Sequence, residues 1–241
     1  AQASQFSTIT GVSSEGLIIA AATPAVTVDM TGATISQVNT TYTVDLATDS
    51  IKFGTGADTI KVEATLSMTS ATVLEAGAGA DTLDVNTAAA VDFSAASLTG
   101  FTVLDGVDNS GGAADTFTAT QMDQFTTLTG PGSNSYDFIV EADGTATTLD
   151  LKQGVTLNNV MRGSYTIDAT ADSFVGVSGA DTFVIALSSG AKVFTSGFKI
   201  DGEGGTDVLD INTDSALDFR LGSITDMETL DLVNGAPNTS L

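Results

Sequence analysis

The chain has 241 residues and a formal net charge of −23, from 30 acidic and 7 basic side chains. That balance excludes nucleic acid and an anionic membrane surface as partners, because no basic patch is present to displace counterions from phosphates. With 42% hydrophobic residues, 25 Gly and 3 Pro the chain packs a core, and the absence of Cys and His removes disulfides, thiolate metal sites and the usual nucleophile and base pairs.

Residues 1–50 are rich in Ser, Thr, Ala and Val, and strands are predicted at Gly16–Ala20, Ala25–Met30 and Tyr42–Leu46. The apolar run Leu17–Ala22 is too short to span a bilayer and follows no basic segment, so no membrane insertion is expected. If the protein is exported, its signal has been removed or lies elsewhere. From Ile51 the punctuation becomes regular. Short β-prone runs centre near Ile60, Val73, Leu83, Phe93, Val103, Phe117, Thr127, Ile139, Leu149, Leu157, Ile167, Val175, Val184, Phe194, Ile200, Leu209, Phe219 and Leu230, with turn residues between them. Only Gln121–Leu128 and Ile224–Leu232 have room for a short helical turn. The pattern predicts an all-β fold: a β-helix or β-roll-like solenoid of short strands, or alternatively a β-sandwich with Greek-key-like connections.

Gly79–Asn109 aligns with Gly205–Gly235 without a gap at an offset of 126, and 14 of the 31 positions are identical. Register held through three strands marks an internal duplication of a strand, turn, strand, turn, strand unit. The domain reading is thus an N-terminal β-prone segment, 1–50, outside the duplication, followed by a repeat domain, 51–241. Asp-Thr followed by an apolar residue recurs at Asp58, Asp81, Asp115 and Asp181, with Asp207-Val208-Leu209 as a variant. Glycines precede each of them, and such a turn aims carbonyl and carboxylate oxygens together, as a hard cation requires.

Gly54–Val62 and Gly77–Val85 resemble the Gly- and Asp-rich nonapeptides of RTX proteins. The following Val91–Asp105 looks like a segment found beside such repeats in large bacterial surface proteins, including S-layer proteins and adhesins. The resemblance covers about residues 51–235. It implies Ca²⁺ as the cofactor, with Asp58, Asp81, Asp115, Asp181 and Asp207 as carboxylate ligands and Gly54, Gly56, Gly77, Gly79, Gly179 and Gly205 as carbonyl ligands. The residues themselves add two acidic clusters, Asp105 with Asp108 and Asn109, and Asp201 with Glu203. An ion needs about six to eight oxygens, so two turns must combine to hold one. The nonapeptides here are isolated instead of tandem, which leaves a larger β-helix or a Greek-key-like sandwich with fewer ions as compatible as a full roll.

No catalytic set emerges. The carboxylates are too many to single out a pair, the seven basic residues are dispersed, and Tyr42, Tyr136 and Tyr165 read as packed aromatics. Enzyme activity is not expected. The expected function is that of a secreted structural protein at a bacterial cell surface. It would self-assemble as a homopolymer into a surface layer, filament or biofilm matrix, with calcium clamping its turns and residues 1–50 supplying an intersubunit strand. The alternative is a calcium-dependent adhesin or carbohydrate-binding module whose partner is cell-surface polysaccharide.

Overall fold

A computed structural model gives the protein as a parallel β-solenoid of about eight turns. It describes residues 8–19, 25, 27–31, 34–107, 113–131, 135–152, 155–158, 161–187, 190–213 and 215–232, with side chains left out at 8–16, 34–38 and 158.

The strands are three or four residues long in most turns, and their apolar residues alternate with polar ones. In Thr59–Val62, Thr82–Val85, Thr182–Ile185 and Val208–Ile211 the second and fourth side chains are buried and the others half-buried. Period-two burial on so short a strand allows one inward face only, and the chain must then turn a corner to reach the next face. Each lap brings like residues over like. Thr59 pairs with Thr82, 23 residues on, and Phe183 with Leu209, 26 residues on. Among the described residues every strand pairing is parallel, which excludes the antiparallel Greek-key sandwich named as the alternative.

Two long sheets run along the stack. Sheet 1 contains Thr8–Ile19, Thr34–Val44, Thr59–Val62, Thr82–Val85, Val103–Gly106, Thr127–Thr129 and Thr156–Asn158; sheet 2 contains Asp115–Thr118, Tyr136–Glu141, Met161–Ile167, Thr182–Ile185, Val208–Ile211 and Thr229–Leu232. A third face is built from Thr27–Asp29, Ser50–Lys52, Val73–Glu75 and Ser97–Thr99 in the N-terminal half, and from Thr148–Asp150, Ser173–Val175, Lys199–Asp201 and Ser223–Thr225 in the C-terminal half. The described part of the segment before Ile51 therefore belongs to the same stack, with Thr8–Ile19 as the outermost strand of sheet 1.

The two aligned stretches adopt the same succession of elements. Thr82–Val85, Ser97–Thr99 and Val103–Gly106 correspond to Val208–Ile211, Ser223–Thr225 and Thr229–Leu232, which is one full lap and the return to its starting face. The corner that opens the lap feeds sheet 1 in the first stretch and sheet 2 in the second. A bridge between Asp92 and Thr116 carries the second face of the early laps into sheet 2, so the repeat changes face midway along the rod.

The helical turn expected within Gln121–Leu128 forms at Ala119–Met122. Thr118 and Gln121 close a capping box at its start. The turn lies over the last strand of the early third face, and its glutamines serve that edge. Gln121 Nε2 donates to the carbonyls of Phe93 and Ala96, and Gln124 Nε2 to that of Leu98. The other expected site, Ile224–Leu232, is not helical: it forms the strands Ser223–Thr225 and Thr229–Leu232, held in register on the preceding lap.

The core is a set of vertical columns, since residues on successive laps point to the same place. One column of sheet 2 runs Phe117, Val140, Tyr165, Phe183, Leu209 and Leu230. Aromatic neighbours in such columns stack at the rise of the solenoid: Tyr165 on Phe183 at 4.8 Å, Phe93 on Phe117 at 4.9 Å and Phe194 on Phe219 at 4.3 Å.

Candidate functional site

The five aspartates singled out in sequence sit at one kind of corner, at the entrance to a strand of sheet 1 or sheet 2. All are buried, none more than 2% exposed. At a corner the backbone leaves the sheet direction, and an N–H there points along the solenoid axis with no strand carbonyl to receive it. The aspartate of the next lap supplies that acceptor. Thr40 N–H donates to Asp58 Oδ1 at 2.6 Å, Asp58 N–H to Asp81 Oδ1 at 2.7 Å, and Asp181 N–H to Asp207 Oδ1 at 2.7 Å. Asp115 Oδ1 accepts from Val91 N–H at 2.7 Å, and Asp181 Oδ1 from Gly163 N–H at 2.6 Å. These bonds make a ladder of carboxylates linking laps 18 to 26 residues apart.

The second oxygens differ. Asp115 Oδ2 accepts from Tyr136 Oη at 2.7 Å, and Asp181 Oδ2 from Val177 N–H, four residues upstream, at 2.7 Å. At Asp81 and Asp207 the residues four upstream are Gly77 and Glu203, whose left-handed φ of 92° and 66° marks a differently wound turn. Oδ2 of both aspartates is buried and accepts no hydrogen bond. Burial dominates the acidity of the set. It pushes Asp81 and Asp115 up to about 6 and Asp181 up to about 8, against the backbone and hydroxyl bonds that favour the ionised form. Asp58 and Asp207 are raised by the same cause.

The glycines are explained by close approach of successive laps. A Cβ on Gly77 would lie 2.0 Å from the Gly54 carbonyl oxygen, one on Gly79 1.6 Å from that of Gly56, and one on Gly205 2.2 Å from that of Gly179. Gly179 itself lies over Met161, where a Cβ would stand 1.7 Å from the carbonyl oxygen. The Gly54 carbonyl accepts Ala78 N–H at 2.9 Å. These carbonyls thus face the next lap along the axis.

The other sequence candidates do not converge on a common point. Asp105 is exposed on sheet 1 beside Asp84, which pairs with Lys61 at 2.7 Å. Asp201 pairs with Lys199 at 3.1 Å, while Glu203 reaches Lys152 at 2.8 Å. Asp108 and Asn109 lie outside the described residues. Among the described residues no group of three or more acidic side chains is placed to hold a metal ion. The corner aspartates commit their Oδ1 atoms to backbone N–H groups, and the unbonded Oδ2 atoms of Asp81 and Asp207 stand singly, so no corner by itself gathers the roughly six to eight oxygens that a calcium ion takes.

Three further corner carboxylates escaped the sequence reading. Asp49 Oδ2 accepts from Tyr42 Oη at 3.0 Å and from the N–H groups of Asp45 and Leu46. Asp172 accepts from the N–H groups of Thr147, Asp168 and Ala169. Both precede a Ser and an apolar residue that start a strand of the third face, which is the signal that would have found them. Glu228 ends the ladder, taking Asp207 N–H at 2.8 Å. Apart from the corners, a small polar cleft of about 290 Å³ lies on the side wall, lined by Thr120, Asp123, Asp143, Thr145 and Thr147. Among the described residues no helix is long and apolar enough to cross a membrane. Comparison of the chain with protein-family models, curated proteins and solved structures gave no match.

Proposed function

We propose that the chain is an extracellular structural protein that self-assembles at a bacterial surface or in a matrix, and that its work is done by the stiffness and stackability of the rod. One observation carries this reading: among the described residues, the strands at both ends of the stack, Thr8–Ile19 and Thr229–Leu232, have a strand on one side only. Solenoids that stay monomeric need polar capping units, and an unpaired parallel edge templates further pairing. The chemistry agrees with it. The Oδ1 atoms of the five corner aspartates accept backbone N–H groups, and the cations of the ion pairs lie on the outer wall, where water screens each pair and leaves it little weight in stability. Nothing in that set activates a nucleophile.

The polar cleft supports a second reading, a carbohydrate-binding module. Hydroxyls and carboxylates there suit a sugar, and glycan binding by a chain that never polymerises would favour it. The test of the first reading is electron microscopy with light scattering on the purified chain, with salt enough to screen a charge of −23. Filaments or sheets whose repeat follows the rod axis are expected. A monodisperse monomer at every concentration would contradict the proposal.

A further inference from the structure

Among the described residues, the last lap of the stack leaves the interior of the solenoid open. A groove of about 640 Å³ opens there, walled by Leu209, Phe219, Ile224, Met227 and Leu230. Leu230 and Leu232 are 42% and 48% exposed, although their column mates one lap earlier, Leu209 and Ile211, are 3% and 0% exposed. Apolar side chains at these register positions are covered in every earlier lap by the lap that follows. Among the described residues this face repeats, uncovered, the contact that joins successive laps of the rod.

We propose that a second copy of this chain continues the solenoid head to tail. The third-face strand Thr27–Asp29 of that copy would sit on Ser223–Thr225, and its strand Thr8–Ile19 on Thr229–Leu232. The order of faces supports this pairing. Thr27–Asp29 and Ser223–Thr225 both stand on the face from which neighbouring laps enter a Gly–Asp corner, and both are three residues long. Thr8–Ile19 and Thr229–Leu232 are the outermost strands of the two sheets those corners feed. A heterologous contact of this kind does not close, and it generates an open polymer along the rod axis. The inference rests on the structural reading above and adds the faces and register of the joint.

The chain contains no Cys, so a disulfide can report the joint without background. Thr27 and Ser223 are both exposed. Partners in parallel register stand about 4.8 Å apart, within the span of a disulfide. The double variant T27C/S223C, oxidised under assembly conditions, is expected to give a covalent ladder of oligomers that thiol reductant collapses. The single variants are expected to give dimers at most, and adding L230K should abolish the ladder while the far-ultraviolet spectrum of the folded chain persists. Polymers by microscopy without a ladder would overturn this joint and leave self-assembly standing. Absence of any polymer would overturn both. A ladder that survives L230K, or appears equally with the cysteines moved to the side wall, would also overturn the joint.

Discussion

Asp181→Ala is expected to lower stability by about 2–5 kcal/mol, because it leaves the N–H groups of Gly163 and Val177 buried without an acceptor, each costing about 1–3 kcal/mol. In a chain of this length the thermal midpoint should fall by roughly 5–15 °C. The loss has a pH signature. Burial holds the folded-state acidity of Asp181 up at about 8, far above an unfolded aspartate, so between about pH 4 and pH 8 the native chain binds more protons than the unfolded one. Stability therefore falls as pH rises through that window, and the fall is complete above it. Asp81 and Asp115 act in the same direction up to about pH 6. Asp181→Ala should flatten the upper part of the profile, so that its penalty is largest near pH 5 and narrows toward pH 8. Thermal melts across that range would decide it: equal penalties at both ends, or stability rising with pH, would contradict the buried-ladder account.

Gly179→Ala should be more damaging than an alanine at an ordinary glycine, with a cost above about 3 kcal/mol and, in the extreme, loss of the folded state. The added Cβ would stand 1.7 Å from the Met161 carbonyl oxygen and 2.8 Å from its carbon. That neighbour is backbone in a packed strand, so relief requires two laps to separate. Gly144→Ala is the control. Gly144 has φ +79° with nothing within 4 Å of an added Cβ, so only the left-handed conformation is penalised, by about 1–2 kcal/mol. If the glycines served only to aim carbonyls at a ligand, Gly179→Ala would fold and keep its carbonyl, and the two variants would melt alike.

The recurrence of Asp before a hydroxyl and an apolar residue made the corners legible in sequence, and the offset of 126 gave the spacing of the duplicated unit. What the pattern left open was the partner of each carboxylate. Asp58 N–H meets Asp81 Oδ1 across 23 residues, and a carboxylate that receives such a bond reads in sequence like one that binds an ion. Asp49 and Asp172 went unseen because no glycine pair announces their corners. The strands Ser97–Thr99 and Ser223–Thr225 were missed; in each a single inward apolar residue, Leu98 or Ile224, stands between a Ser and a Thr. Ile224, Met227 and Leu230 recur every third residue, which imitates a helical face. Two short strands joined at a corner produce the same spacing, since each contributes an inward residue and the turn another.

The Gly and Asp corners join successive laps by backbone hydrogen bonds and close packing, a set of contacts that requires no ion. Thermal unfolding of the intact chain in chelator and in millimolar calcium, with magnesium at equal ionic strength as the control for screening of its charge, tests this most directly. Coincident midpoints in calcium and magnesium and a folded chain in chelator are expected. A ligand at 100 times its dissociation constant stabilises the native state by about 2.7 kcal/mol, so specific binding at the corners would be plain in the melt. A midpoint raised by calcium alone, or a chain unfolded by chelator, would return the corner aspartates to the role of metal ligands.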